Sequence, residues 1–271
     1  MSRTVAAPGH DSLAPTRLSV LREALVILCG ALLYFFVRGL METQAAVAVA
    51  NAERLIALEQ QLGLFHEPWL QSLVTDSRTM MTWWNRVYIF GHWPVIVLTL
   101  VWLVWKHPEQ VALYRSALLI SGAIGLVFFV LLPMAPPRFI VDQGFVDTVT
   151  QHSQAYRVLQ PPSFTNQYAA MPSLHVGWNL LMGIAIVRCA SNPWWRAFGV
   201  LMPLVMWLST VVTANHYLLD GVVGAGVALT GLVLAHQLCH RRGHRPPQAA
   251  ALPVRTGGSP YHERDSTPQS P

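Results

Sequence analysis

The sequence predicts an all-α protein, a polytopic membrane helical bundle of about six transmembrane helices with an outward-facing amphipathic segment. Composition is the first observation behind this. Of 271 residues 53% are hydrophobic and only 11% charged, against about 25% charged in an average soluble domain. The second is that the apolar residues gather into runs. A helix needs about 20 of them, at 1.5 Å rise, to cross roughly 30 Å of hydrocarbon.

Six runs meet that requirement: 18–40, 82–104, 114–134, 174–187, 197–212 and 218–238. The first holds Arg22 and Glu23 at its start, so its buried length is nearer 24–37. The fourth is short unless its first turn sits at the interface. Between the first two, residues 43–74 are not apolar enough to cross. There Val47, Ala50, Leu55, Leu58, Leu62 and Leu64 recur at roughly helical spacing among polar Glu53, Arg54 and Glu59. That pattern predicts an amphipathic helix lying on the membrane surface, with a solvent-exposed connector as the plainer alternative.

The first seventeen residues are polar and lack a signal-peptide layout, so the first run is expected to stay as an anchor. Residues 240–271 are rich in Arg, Pro, Ser and Gln, have no apolar period, and read as disordered. Four segments result: a tail at 1–17, transmembrane and interfacial helices at 18–112, a catalytic membrane core at 113–239, and a basic tail at 240–271.

The formal charge of +5 is carried almost wholly by arginine, since Lys106 is the only lysine. These arginines punctuate apolar runs and form no stripe, which argues against nucleic acid as a partner and for positive flanks on membrane helices. With six spans both termini share one side. Arg38, Arg54, Arg78, Arg86, Arg138 and Arg157 would lie on the opposite side, leaving twelve of the 18 basic residues with the termini. The excess places the termini in the cytoplasm. The protein is then expected in the plasma membrane with its chemistry on the outer face.

Cys29, Cys189 and Cys239 lie in or at the ends of apolar runs without Cys-x-x-Cys spacing, and read as small hydrophobes. No His-Glu-x-x-His, Cys cluster or carboxylate set offers metal-ligand spacing. No metal or cofactor is expected.

Three clusters carry chemistry. In the third, His216 and Asp220 stand at i, i+4 at the head of an apolar run, a spacing that stacks them on one helix face. A carboxylate beside an imidazole can hold it in one tautomer, the core of many nucleophilic and acid–base sites. In the second, Pro172 and Ser173 mark a helix start. The unpaired N–H groups of such a turn form an anion site, and His175 projects from it. In the first, Pro136 and Pro137 end a helix and hold Arg138 at the membrane surface, where its fork can grip a phosphate. Singly, each cluster has a plainer reading: a polar pair capping a helix, a cap with an interfacial His, an arginine among lipid headgroups. Together on one predicted face they meet the needs of phosphoryl transfer. Imidazoles, with pKa near 6.5, let one His work neutral and the other protonated.

The order Pro136-Pro137-Arg138, Pro172-Ser173-Leu174-His175, then Ser209-x6-His216-x3-Asp220 resembles the type-2 phosphatidic acid phosphatase superfamily, in particular its branch of inositol phosphorylceramide synthases. The resemblance implies a helical bundle and metal-independent chemistry. By motif position His216 would be the nucleophile that forms a phosphohistidine, and Asp220 would orient it. His175 would protonate the leaving alkoxide. Arg138 with the Ser173–Leu174 backbone would bind the phosphoryl oxygens. The sequence departs from the broad pattern at Leu131, where the family has Lys, at Phe139 for Pro, at Leu174 for Gly and at Thr210 for Arg. The synthase-like branch shares the last two departures. Two phosphate-gripping cations are absent, which leaves open a phosphomonoester dianion, wanting more positive charge, or a diester needing less.

The function these features imply is a lipid phosphatase, if water resolves the phosphohistidine, or a lipid phosphotransferase, if an alcohol does. The partners would be a membrane lipid phosphate and one of those acceptors. Two alternatives stand beside it: a non-catalytic transporter or lipid-binding protein whose His and Asp line a polar path, and an inactive member of the same fold.

Overall fold

A computed structural model describes residues 17–39, 45–152 and 167–243. Residues 1–16 and 244–271, and with them most of both expected tails, lie outside the described residues; residues 240–243, expected in the disordered tail, instead continue the last helix. The only regular secondary structure among the described residues is helix, with one isolated β-bridge between Met134 and Ala169. Ten helices follow in order: α1 (Arg17–Gly39), α2 (Ala45–Gln61), α3 (Glu67–Thr75), α4 (Arg78–Phe90), α5 (Trp93–Lys106), α6 (Pro108–Leu131), α7 (Thr148–His152), α8 (Leu174–Cys189), α9 (Pro193–Val212) and α10 (Leu218–Gly243).

Helix α8 forms the axis of the bundle, packed against α5, α6, α9 and α10. Its Trp178, Leu181, Met182 and Ala185 join Leu103 and Tyr114 of the neighbouring helices in the main core. Close approach is built on glycine. A Cβ on Gly224 of α10 would lie 2.1 Å from the Ser173 carbonyl oxygen, and one on Gly177 would lie 2.5 Å from the Gly224 carbonyl oxygen. The start of α8 therefore touches the start of α10 backbone to backbone.

By length and composition α6, α9 and residues Leu218–Arg241 of α10 can cross a membrane. The count is four when α4 and α5 are taken as one span. Helix α8 is apolar but has only 16 residues. The outer faces of this group stay apolar, with Leu98, Trp105, Val130 and Leu131 exposed, as lipid contact requires. In α1, Glu23 pairs with Arg115 of α6, which satisfies a charge that an apolar bundle would otherwise penalise.

Two of the expected segments have internal breaks. The run 82–104 is not one straight helix. It breaks between Phe90 and Trp93 with a bend of 43°, because Pro94 has no N–H to continue the ladder and so opens a new first turn. Residues 45–74 hold two helices, α2 and α3, and much of the apolar stripe predicted to meet the membrane surface is exposed. Val47, Leu58, Leu62 and Leu64 are exposed, while Ala48, Asn51, Ala52, Leu55, Ile56 and Glu59 face inward. This helix packs on Met134, Ala135, Ala170, Met171 and Tyr217 and forms a roof over the loops that join the membrane helices.

Candidate active site

Under that roof the three sequence clusters meet, and main-chain hydrogen bonds tie each to the other two. Met134 N–H donates to Tyr168 O at 2.8 Å and Ala170 N–H to Met134 O at 3.2 Å, joining the first cluster to the second. Arg138 N–H donates to Ala214 O at 3.0 Å, joining the first to the third. Ser173 N–H donates to Asp220 O at 3.0 Å, joining the second to the third. The loop leading to His216 turns through Ala214, whose φ of +52° is a left-handed conformation rare for alanine. The turn aims both Asn215 N–H and His216 N–H at Thr210 O, at 3.0 and 3.1 Å.

His216 is 5% exposed and Asp220 is fully buried. The closest partner of His216 Nδ1 is a main-chain carbonyl, Ala170 O, at 2.7 Å; Asp220 Oδ2 lies at 3.4 Å. A carbonyl only accepts, so Nδ1 carries the proton and Nε2 keeps a lone pair. The sequence assigned tautomer control to Asp220. Ala170 is the closer partner, and Asp220 Oδ2, which also accepts from Tyr217 N–H at 2.9 Å, lies behind the ring.

His175 emerges from the first turn of α8 with its ring centroid 5.6 Å from that of His216. Two aromatic rings unassigned from sequence pack against it: Tyr88, stacked at 4.7 Å, and His92, at 4.3 Å. His92 sits at the break between α4 and α5, so the bend that divides the span also delivers this side chain to the site. Asn179 Nδ2 donates to His175 O at 2.8 Å and contacts His92 Nδ1 at 3.1 Å. The shared amide must present N–H to the carbonyl, which makes His92 Nδ1 an acceptor and His92 a neutral ring protonated at Nε2.

Arg138 lies on a short 3-10 turn, Pro137–Phe139. Its Nη1 donates to Asn215 Oδ1, its Nε is 3.9 Å from Asp147 Oδ2, and its guanidinium covers the Phe139 ring at 4.9 Å. Arg138 is thus linked to the residue next to His216. The expected Ser173–Leu174 anion cradle is only partly available. Ser173 N–H is engaged by Asp220 O, which leaves Leu174 N–H among the first-turn groups that have no intrahelical acceptor. Ser173 makes no side-chain cap, and its hydroxyl is buried with no hydrogen-bond partner among the described residues. Among the described residues no group of three or more His, Cys, Asp or Glu is arranged to hold a metal ion.

The fold and site define a polytopic α-helical membrane protein with three imidazoles, a carboxylate and an arginine gathered at one end of the bundle. The chain belongs to the PAP2 superfamily, whose family model matches residues 53–234. Its likeness within that superfamily is to the inositol phosphorylceramide synthase-like branch. It is 25% identical over 169 residues to the phosphoinositol dihydroceramide synthase of Bacteroides thetaiotaomicron, covering 56% of this chain and 55% of that one. The chain thus spans about half the length of the curated relative it matches. No solved structure matches the chain.

Proposed function

We propose that this protein is a membrane-embedded lipid phosphatase or lipid phosphotransferase that works through a phosphohistidine at His216. The observation that carries the proposal is the His216 Nδ1 contact to Ala170 O. It leaves Nε2 as a nucleophile with His175 alongside. Nε2 attacks phosphorus, the ester P–O bond breaks, and His175 gives its proton to the departing alkoxide. The N-phosphorylated ring is cationic, and Asp220 Oδ2 behind Nδ1 offsets that charge. In the second half, neutral His175 takes a proton from water or an alcohol whose oxygen attacks phosphorus, and His216 leaves unchanged. Arg138 and the start of α8 bind the non-bridging oxygens.

An alcohol acceptor is the better of the two. Leu131 and Thr210 stand where two family cations would be, so less positive charge surrounds the phosphoryl group, as a diester needs. The matched relative's name, a phosphoinositol dihydroceramide synthase, also points to transfer onto a hydroxyl. We assign six spans, with α1 and α8 crossing as well, termini in the cytoplasm and the site at the outer face of the plasma membrane, on the arginine asymmetry. Purified protein with labelled lipid phosphates, with and without inositol, tests the function. Phosphoryl transfer to inositol is expected. Release of inorganic phosphate alone would make the protein a phosphatase, and no turnover of any lipid phosphate would remove both readings.

A further inference from the structure

Glu59 on α2 and Glu67 at the start of α3 are both fully buried. Each reaches across the structure to the first turn of α10. Glu59 Oε1 accepts from Leu219 N–H at 2.8 Å, and Glu67 Oε1 accepts from Leu218 N–H at 2.9 Å. The preceding N–H, of Tyr217, goes to Asp220 Oδ2. Three consecutive N–H groups at one helix start therefore end on three different carboxyl groups, two of them imported from distant sequence.

Capping alone does not call for this arrangement. One local Ser, Asp or Asn usually serves, whereas burying two ionised carboxylates beside a third carries a heavy desolvation and repulsion cost. The second oxygens explain how the cost is avoided. Glu59 Oε2 and Glu67 Oε2 are both buried and have no donor among the described residues. As two carboxylates they could offer each other only lone pairs. With one proton between them, one carboxyl donates to the other and both oxygens are satisfied. Burial first, then the hydrogen bond with Glu67, pushes the Glu59 carboxyl up to about 9. Tyr217 is flanked by the same acids: burial pushes its hydroxyl up, and Asp220, Glu59 and Glu67 push it further.

The geometry points to Glu59 and Glu67 as a proton-sharing pair of positioning residues, which clamps the first turn of α10 and so keeps Asp220 on His216. The pair presents one negative charge to the N-terminal end of α10, a polarity that end favours. Its two anchor points, Leu218 and Leu219, lie between His216 and Asp220 in the chain. Any slip of that turn moves the carboxylate away from the imidazole. The catalytic consequence rests on His216 being the nucleophile; the shared proton does not.

Two measurements on purified full-length protein test it separately. The first is the infrared carbonyl stretch of protonated carboxyl groups at neutral pH. Glu59→Gln should remove the band, and Glu67→Gln should shift it, because Glu59, kept protonated by burial, then donates to an amide oxygen in place of a carboxylate. An unchanged spectrum in either variant would overturn proton sharing. The second is turnover of a labelled lipid phosphate below the melting temperature. Each single glutamine variant should keep kcat within about threefold, while the double variant, with no charge to clamp the turn, should lose about 10²-fold in kcat with KM little changed. Small additive losses, or a loss confined to melting temperature, would reduce the pair to ordinary helix caps. If the double variant does not fold, the infrared comparison of the singles still decides. If His216→Ala turns over as well as wild type, the proposed function fails while the infrared result stands.

Discussion

Replacing Gly224 by alanine tests whether the close backbone contact between α8 and α10 sets the catalytic geometry. The new Cβ would lie 2.1 Å from Ser173 O and 2.8 Å from Ser173 C. Both are main-chain atoms, so no side-chain rotation relieves the overlap. Carbon contacts below 3.0 Å are essentially never seen, so the helices must part by about 1 Å. Ser173 sits two residues before His175, and its N–H holds Asp220 O; the shift therefore falls between the two imidazoles. Overpacking of this size costs about 1–3 kcal/mol, which the bundle can absorb. A 1 Å misplacement of reacting groups can cost about 10²-fold in rate. Gly226, on the same helix, supplies the control, because its added Cβ meets nothing within 4 Å. Turnover and melting temperature of both variants in detergent are the assay. Gly224→Ala should lose about 10²-fold in kcat/KM while staying folded, and Gly226→Ala should match wild type. Equal activity in the two variants would refute the argument.

His216→Ala should abolish turnover in a protein that still folds; substantial residual activity would exclude a phosphohistidine at that position. His175→Ala should lose about 10²–10⁴-fold, the usual worth of a positioned acid, and least for esters with good leaving groups. An equal loss across leaving groups would remove its role as acid. Activity should persist in EDTA, and loss on chelation restored by a divalent ion would replace the covalent mechanism. In a background lacking Cys29, Cys189 and Cys239, a cysteine at exposed Gln143 should react with an impermeant thiol reagent in intact cells. A cysteine at exposed Ser191 should react only after permeabilisation, and the reverse pattern would put the site in the cytoplasm.

Much of the site was legible because its chemistry is carried by side chains in local patterns. The spacing of His216 and Asp220, the Pro172-Ser173 helix start before His175, and the paired prolines before Arg138 all identify positions that the structure gathers together. The rest had no local signature. Ala170 acts through its carbonyl, which any residue supplies. His92 stood alone inside an apolar run, and only the Gly91 and Pro94 around it hinted at a break. Glu59 was read as part of a polar face because a helical period cannot reveal that its partner is an N–H group 160 positions away. Helix α2 is hard to read for a related reason: its inward face mixes Ala48, Ala52, Leu55 and Ile56 with Asn51 and Glu59, while Val47 and Leu58 are exposed.

Four of the hydrogen bonds that join the three clusters run between main-chain atoms, so these are indifferent to the side chains that hang from them. Thr210 shows the result. Where the wider family has an arginine, this chain needs only the carbonyl of that residue to seat Asn215 and His216. A frame of this kind leaves the side chain at such a position free to change without dismantling the pocket that the main chain holds together.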